Sequence, residues 1–278
     1  MGMELRVGCS SWTSDAWSGR IYPRGLPDGE RLSVYARLFD TVEVDSSYYR
    51  TPPAAMVVGW RRKTPEEFRF TLKFPRDLLD PKVPVDPSKV REFTENARHL
   101  ENKLGPILLQ FPPWVRPGRA QAFLETLLGT LDPGLRYAVE LRDAGWFRDA
   151  TGAWLRQTLT DRGIALVWSF LTYVDIPPER TADFVYLRFI GDHTTVPAES
   201  HGEVRVDRSS ETALWAWRLR VQEDSARRAF IFFNNHYAGF APESVNQFRS
   251  EMGLPAIDYG RLARGARRLD DAADEGTP

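Results

Sequence analysis

At 278 residues, with 42% hydrophobic side chains and nine tryptophans, the chain can bury one large core, and one domain is the first reading. Lys plus Arg (37) nearly balances Asp plus Glu (38), which excludes a global field toward nucleic acid or an anionic membrane and makes any anion specificity local. Cys9 is the only cysteine, so an internal disulfide and any multi-cysteine metal site are excluded, and a reducing compartment fits.

The amino terminus carries Glu4 and Arg6 and runs directly into a strand-like segment at residues 5–9, without the apolar core of a signal peptide. No spanning segment follows anywhere, so a cytoplasmic protein with no membrane partner is expected. Further strands are predicted at 41–45 and 70–74. A helix over 88–104 follows, where Val90, Phe93, Ala97, Leu100 and Leu104 recur at helical spacing. Strands at 107–111, 137–141 and 164–168 come next, several of them continuously apolar, as strands covered on both faces should be. Residues 169–183 contain Pro177 and Pro178 and show little helical periodicity, so a sixth connecting helix is expected to be short or missing. After a strand at 184–189, a helical stripe of Leu214, Trp217 and Val221 follows a cap at Ser209 and Ser210. A strand at 230–234 and a helix opened by Pro242, carrying Val245, Phe248 and Met252, complete the pattern. Strand then helix, repeated about eight times, predicts an α/β fold of the (β/α)8 TIM-barrel type, as one domain over 1–259. Residues 260–278 are Arg-rich and then acidic, and read as a frayed or disordered tail.

In such a barrel the carboxyl ends of all strands share one rim, and that is where ligands bind. Alternation along each strand sends Glu43, Lys73, Gln110, Glu140 with Arg142, Trp168, Tyr186 with Arg188, and Asn234 inward. Burying several charges costs several kcal/mol per ion unless they pair, so a mutually neutralising network with a gap for ligand is expected. The plainer alternative is a network that only closes the interior. Around it the loops carry Trp12, Trp17, Tyr48, Tyr49, Trp114 and Tyr173, about half of which are expected to pack loops rather than stack on ligand. Glu43 and Glu140, on the second and fifth strands, raise a weak glycosidase signal. His193, His201 and His236 lack HxH or HExxH spacing, and read as solvated loop residues rather than metal ligands.

The motifs themselves carry a resemblance. Val7-Gly8-Cys9-Ser10-Ser11-Trp12, Glu43-Val44-Asp45-Ser46-Ser47-Tyr48-Tyr49, Thr71-Leu72-Lys73, Gln110-Phe111-Pro112-Pro113, Val139-Glu140-Leu141-Arg142, Leu187-Arg188-Phe189 and Asn234-Asn235 resemble the YecE-like family, catalogued as domain of unknown function 72. The resemblance covers the chain to about residue 255. It implies a TIM barrel with the motif residues lining a pocket at the strand carboxyl ends, and implies no established reaction. The chain departs from the pattern at Asp45, where Asn is usual, and at Asp143 and Ile190, where His is common; His236 replaces an acid or amide.

The preferred reading is an enzyme acting on a small polar or anionic, sugar- or phosphate-like ligand by acid/base or hydrolytic chemistry. Arg188 and Lys73 would hold the anion, Glu140 would be general acid or base oriented by Arg142, and Glu43 the second carboxylate. Trp12, Asp45, Tyr48, Gln110, Trp168, Asn234 and Asn235 would position the substrate. No cofactor is predicted, and an oxygen-ligated Mg²⁺ is left open because it leaves little trace in sequence. Two rivals stand beside this: a nucleic-acid phosphodiesterase or repair-like barrel, disfavoured by near-neutral charge, and a binding module without turnover.

Overall fold

Apolar runs that can expose neither face take the sheet positions here, and the amphipathic runs between them cover the sheet. The computed structural model describes residues 2–222 and 224–260; the sequence-predicted tail therefore lies, apart from Gly260, outside the described residues. In chain order the elements are β1 (Glu4–Ser10), α1 (Asp28–Tyr35), β2 (Thr41–Val44), α2 (Ala54–Arg62), β3 (Arg69–Leu72), α3 (Pro87–Arg98), β4 (Ile107–Gln110), α4 (Arg119–Thr130), β5 (Tyr137–Glu140), α5 (Asp149–Asp161), β6 (Ala165–Leu166), β7 (Trp168–Phe170), β8 (Phe184–Phe189), α6 (Ser209–Arg220), β9 (Arg228–Phe233), α7 (Asn235–Ala238) and α8 (Ala241–Glu251). No helix joins β7 to β8. Among the described residues, none of these helices is long and apolar enough to cross a membrane.

All strand pairs are parallel. They form a six-stranded sheet in the order β3-β2-β1-β9-β8-β7 and a three-stranded sheet β4-β5-β6. This differs from the single eight-stranded ring predicted from sequence, which is interrupted within the sixth strand and again between β3 and β4. The sixth strand divides at Val167 into β6, which pairs with β5, and β7, which pairs with β8. The Thr181 hydroxyl accepts from the Leu166 amide at 2.7 Å and donates to the Ile164 carbonyl at 2.6 Å, so a side chain takes the edge where a strand would pair. At the other junction, β3 and β4 meet through parallel bridges, Phe70 with Leu104 and Lys73 with Leu108. The Phe74 amide donates to the Leu108 carbonyl there at 2.8 Å.

Alternation sorts the strand residues into two cores. Val7, Cys9, Val42, Val44, Leu72, Leu109 and Val139 pack outward with the helices. Leu108, Ala138, Ala165, Val167, Phe184, Tyr186, Phe230 and Phe232 form a separate inner cluster. Trp168 belongs to the outer set, contrary to the sequence expectation: its ring lies 6.4 Å from that of Trp215 on α6, and its indole N–H donates to the Glu179 carbonyl at 2.9 Å. The inward positions of this segment are Ala165, Val167 and then Ser169.

Two helices also depart from the expected pattern. α3, capped by the Asp86 carboxylate on the Ser88 and Lys89 amides, ends at Arg98, and a 3-10 turn, Glu101–Lys103, carries the chain on. α6 buries Thr212, Trp215, Ala216 and Leu219, and leaves the predicted stripe of Leu214, Trp217 and Val221 exposed. Its first turn is held by Asp207, which accepts from the Ser209 amide at 2.9 Å, rather than by a serine cap.

Gly191 closes β8 against α7. Its φ is +68°, and a Cβ there would lie 2.2 Å from the His236 carbonyl oxygen. Gly191→Ala is therefore expected to cost about 1–3 kcal/mol from backbone strain alone, with the clash in addition, read as a lowered melting temperature. An unchanged melting temperature would contradict this packing.

Candidate functional site: a buried charge network at the strand ends

The inward positions at the carboxyl ends of β1, β2, β4, β5, β7 and β8 carry Ser10, Glu43, Gln110, Glu140, Ser169 and Arg188, with Lys73 just beyond β3. Arg188 is the hub and is 1% exposed. Its Nε and Nη2 donate to the two oxygens of Glu43 at 2.9 and 2.7 Å, a bidentate pair. Its Nη1 donates to Gln110 Oε1 at 3.0 Å and to Glu140 Oε2 at 2.5 Å. Ser10 and Tyr186 hydroxyls complete Glu43 at 3.0 and 2.8 Å, while the Ser169 hydroxyl and Arg142 Nη2 complete Glu140 at 2.6 and 3.1 Å. Lys73 pairs with Asp45, stands 3.7 Å from Glu43, and holds its ammonium 5.7 Å from the Tyr48 ring centroid.

Three carboxylates (Glu43, Asp45, Glu140) thus face three cations (Lys73, Arg142, Arg188). Burial by itself would raise the Glu140 pKa, but Arg142 and Arg188 outweigh it and, with the Ser169 bond, hold it at about 2. Glu43 is likewise lowered: burial opposes ionisation, and Arg188 and Lys73 overcome it. Both carboxylates are therefore charged at neutral pH. Neither is built to deliver a proton, and a carboxylate held this low is a weak base as well, so the geometry favours electrostatic work for Glu140 over the acid-or-base role expected from sequence. Arg188 is already taken up by the protein on Nε, Nη1 and Nη2, so the anion-clamp role expected for it has little support in its geometry.

The donors that remain lie one layer closer to solvent. Arg142 is mostly buried, yet its Nε has no hydrogen-bond partner. Tyr48 lies within its electrostatic reach, and the guanidinium also stands within hydrogen-bonding reach of the exposed Tyr173 hydroxyl. Asp45 keeps a third of its side chain exposed.

Other expected contacts are engaged elsewhere. Trp12 is buried edge-on against Trp60, 5.7 Å between centroids. Asn234 caps α7 by accepting from the His236 amide at 3.0 Å. Asn235 accepts from Trp17 Nε1 at 3.2 Å and from the Ala241 amide at 3.0 Å, tying the loop after β1 to α8. Ser169 was missed by the sequence reading, because the fully apolar run before it gives alternation no polar marker. The histidines pack together rather than standing apart in solvent: His193 and His201 lie 3.8 and 4.4 Å from the His236 ring, and burial, then His236, lowers both their pKa values. Among the described residues no group of three or more His, Cys, Asp or Glu is arranged to hold a metal ion.

Comparison with known proteins places these residues in a wider group. A family model described as protein of unknown function DUF72 matches residues 6–265. UPF0759 protein YunF of Bacillus subtilis is 26% identical over 293 residues, covering 96% of this chain and 99% of its own. UPF0759 protein YecE of Escherichia coli K12 is 30% identical over 147 residues, about half of each chain (51% and 50%). Among solved structures, a DUF72 family protein from Thermotoga maritima superposes with a TM-score of 0.76 at 25% identity, covering 90% of this chain and 99% of that one. One from Enterococcus faecalis gives 0.74 at 22%, covering 90% and 96%.

The network sets a sign for acid denaturation. Glu140 contributes stability that is complete above its unfolded value of 4.5 and is lost as pH falls toward about 2. Arg188→Met leaves two buried carboxylates without their shared cation and should cost about 3–5 kcal/mol at neutral pH. In urea titrations the variant should lose less stability than wild type between pH 7 and pH 4, because protonation relieves the stranded charges. Equal stability of the two proteins at neutral pH would show that Arg188 does not hold the network.

Proposed function

The chain belongs to the DUF72 family of unknown function, and from that premise we propose that it is an enzyme acting on a small polar, anionic ligand by acid/base or hydrolytic chemistry. The observation that carries the reading is the buried, unpartnered Nε of Arg142 beside Glu140. A buried N–H without an acceptor costs about 1–3 kcal/mol, and a ligand oxygen arriving there would remove that penalty. Arg142 with Lys73, rather than Arg188, holds the anion in this reading. Glu43, Glu140 and Arg188 form a dry, charged frame that fixes the direction of those two cations. Asp45, paired with Lys73 and a third exposed, is the carboxylate open to the ligand, and Tyr48 and Gln110 position it. The whole rests on reading the two parallel sheets as one (β/α)8 barrel, which the bridges between β3 and β4 and the continuity of β6 into β7 support.

Mass spectrometry of small molecules retained by gently purified protein identifies the ligand class, and its disappearance on incubation separates an enzyme from a binding module. Independently, inorganic phosphate is expected to raise the melting temperature of wild type, and to raise that of Arg142→Met much less, each against its own phosphate-free baseline. Equal shifts in both proteins would remove Arg142 from the anion site.

A further inference from the structure

Glu43 and Glu140 are held ionised, so neither exchanges a proton near neutral pH, and acid/base chemistry beside Arg142 needs a titrating group from outside the buried network. Contacts lead from Arg142 to one histidine. The guanidinium stands within hydrogen-bonding reach of the Tyr173 hydroxyl, and the neighbouring Thr172 hydroxyl within reach of the Asp192 carboxylate. His193 comes next in the loop after β8 and feels the Arg142 charge directly. A turn fixes its backbone: Asp192 accepts from the Thr194 and Thr195 amides at 3.0 and 2.6 Å and from the Thr195 hydroxyl at 2.9 Å. Its ring rests 3.8 Å from that of His236 on α7, which is itself clipped back to the same loop. The Val196 carbonyl can only accept, so His236 Nδ1, 2.6 Å away, carries the hydrogen, and His201 Nε2 turns a lone pair toward that nitrogen at 3.2 Å. Two of the three imidazoles are thus committed to each other and to the backbone. His193 is the third, exposed and making no hydrogen bond among the described residues.

On the reading of Arg142 as the anion holder, on which this rests, we propose that His193 is the proton-transfer residue of the site, taking a proton from solvent as a ligand anion settles on Arg142 and holding it beside that ligand. The charges around the ring set the direction. Burial first, then His236 and Arg142, lower its pKa below 6.5, and Asp192 is the one opposing charge, already spent on the turn. His193 is accordingly neutral at pH 7. An anion on Arg142 cancels the nearest positive charge and adds a negative one, and both changes favour the imidazolium. That cation then supplies the proton that Glu43 and Glu140 cannot.

Proton NMR titration of the histidine ring C–H signals tests this, with sulfate as the anion because it does not itself titrate near neutrality, and chloride at equal ionic strength as the reference. His193→Gln assigns the signal, and His99, exposed beyond the end of α3, is the internal control. In chloride His193 is expected to titrate below 6.5, and in sulfate about half a pH unit or more higher, with His99 unmoved. Arg142→Met should abolish the rise. Calorimetry of sulfate binding near pH 6.5, in buffers of different ionisation enthalpy, should show proton uptake by wild type that is lost in His193→Gln, while sulfate still binds that variant. Absence of sulfate binding by wild type would overturn the Arg142 anion site and this role with it. Sulfate binding without a rise at His193 overturns the role of His193 and leaves the anion site standing. A rise that persists in Arg142→Met would place the anion on the histidines themselves and overturn the role as well.

Discussion

A guanidinium buried between two carboxylates is the constraint on which the rest of the site depends. Arg188 gives both Glu43 and Glu140 a reason to stay ionised inside the protein, and they give it the same. Removing all three charges together would leave an apolar interior of ordinary cost, whereas removing one leaves the others uncompensated. The strands that bear them are consequently fixed in register with one another: a shift of one residue on β2 or β8 would turn the charges outward into the apolar layer that packs on the helices. Ser10, Gln110, Tyr186 and Ser169 fill the remaining bonds, so the network is saturated rather than merely balanced. A saturated network is rigid, and rigidity is what lets Arg142 keep an unsatisfied nitrogen in place.

The division of labour in the site follows from depth. The innermost ions spend their hydrogen bonds on one another, and their protonation is locked far from neutral pH. Asp45, one layer out, keeps a third of its side chain exposed; Lys73 and Arg142 beside it are mostly buried, and Arg142 has an unused donor. Electrostatic direction thus comes from ions spent on one another, and contact from the side chains beside them that keep a free donor or an exposed edge.

Much of this was legible in the amino-acid order. Period-two alternation placed Glu43, Lys73, Gln110, Glu140 and Arg188 on the inner face, because each is a polar residue at the end of an otherwise apolar run. Alternation gives a direction, however, and not a partner, so nothing in the sequence told that Arg188 would be consumed by the protein itself. It failed outright in the sixth strand, where residues 164–168 are all apolar and offer two equivalent phases; the choice of Trp168 over Ser169 could not be made without the outer contact to Trp215. α6 posed the same ambiguity in helical form, since both 214/217/221 and 212/215/219 carry bulky side chains, and only the packing selects between them. The Thr181 hydroxyl that occupies the edge of β6 is a contact across fifteen residues of irregular chain, beyond any local pattern.

The sequence separations within the network bear on how the chain is assembled. Arg188 lies 145 residues from Glu43 and 48 from Glu140. A chain synthesised only as far as β5 holds both carboxylates and Lys73 but lacks the cation that the two acids share, so Glu43 and Glu140 are only partly compensated until Arg142 and then β8 emerge. The amino-terminal half is thereby kept from sealing prematurely. The last inward arginine acts as a late-arriving lock, and a polypeptide cut before residue 188 would have only Lys73 beside Glu43 and Arg142 beside Glu140, without the cation the two acids share.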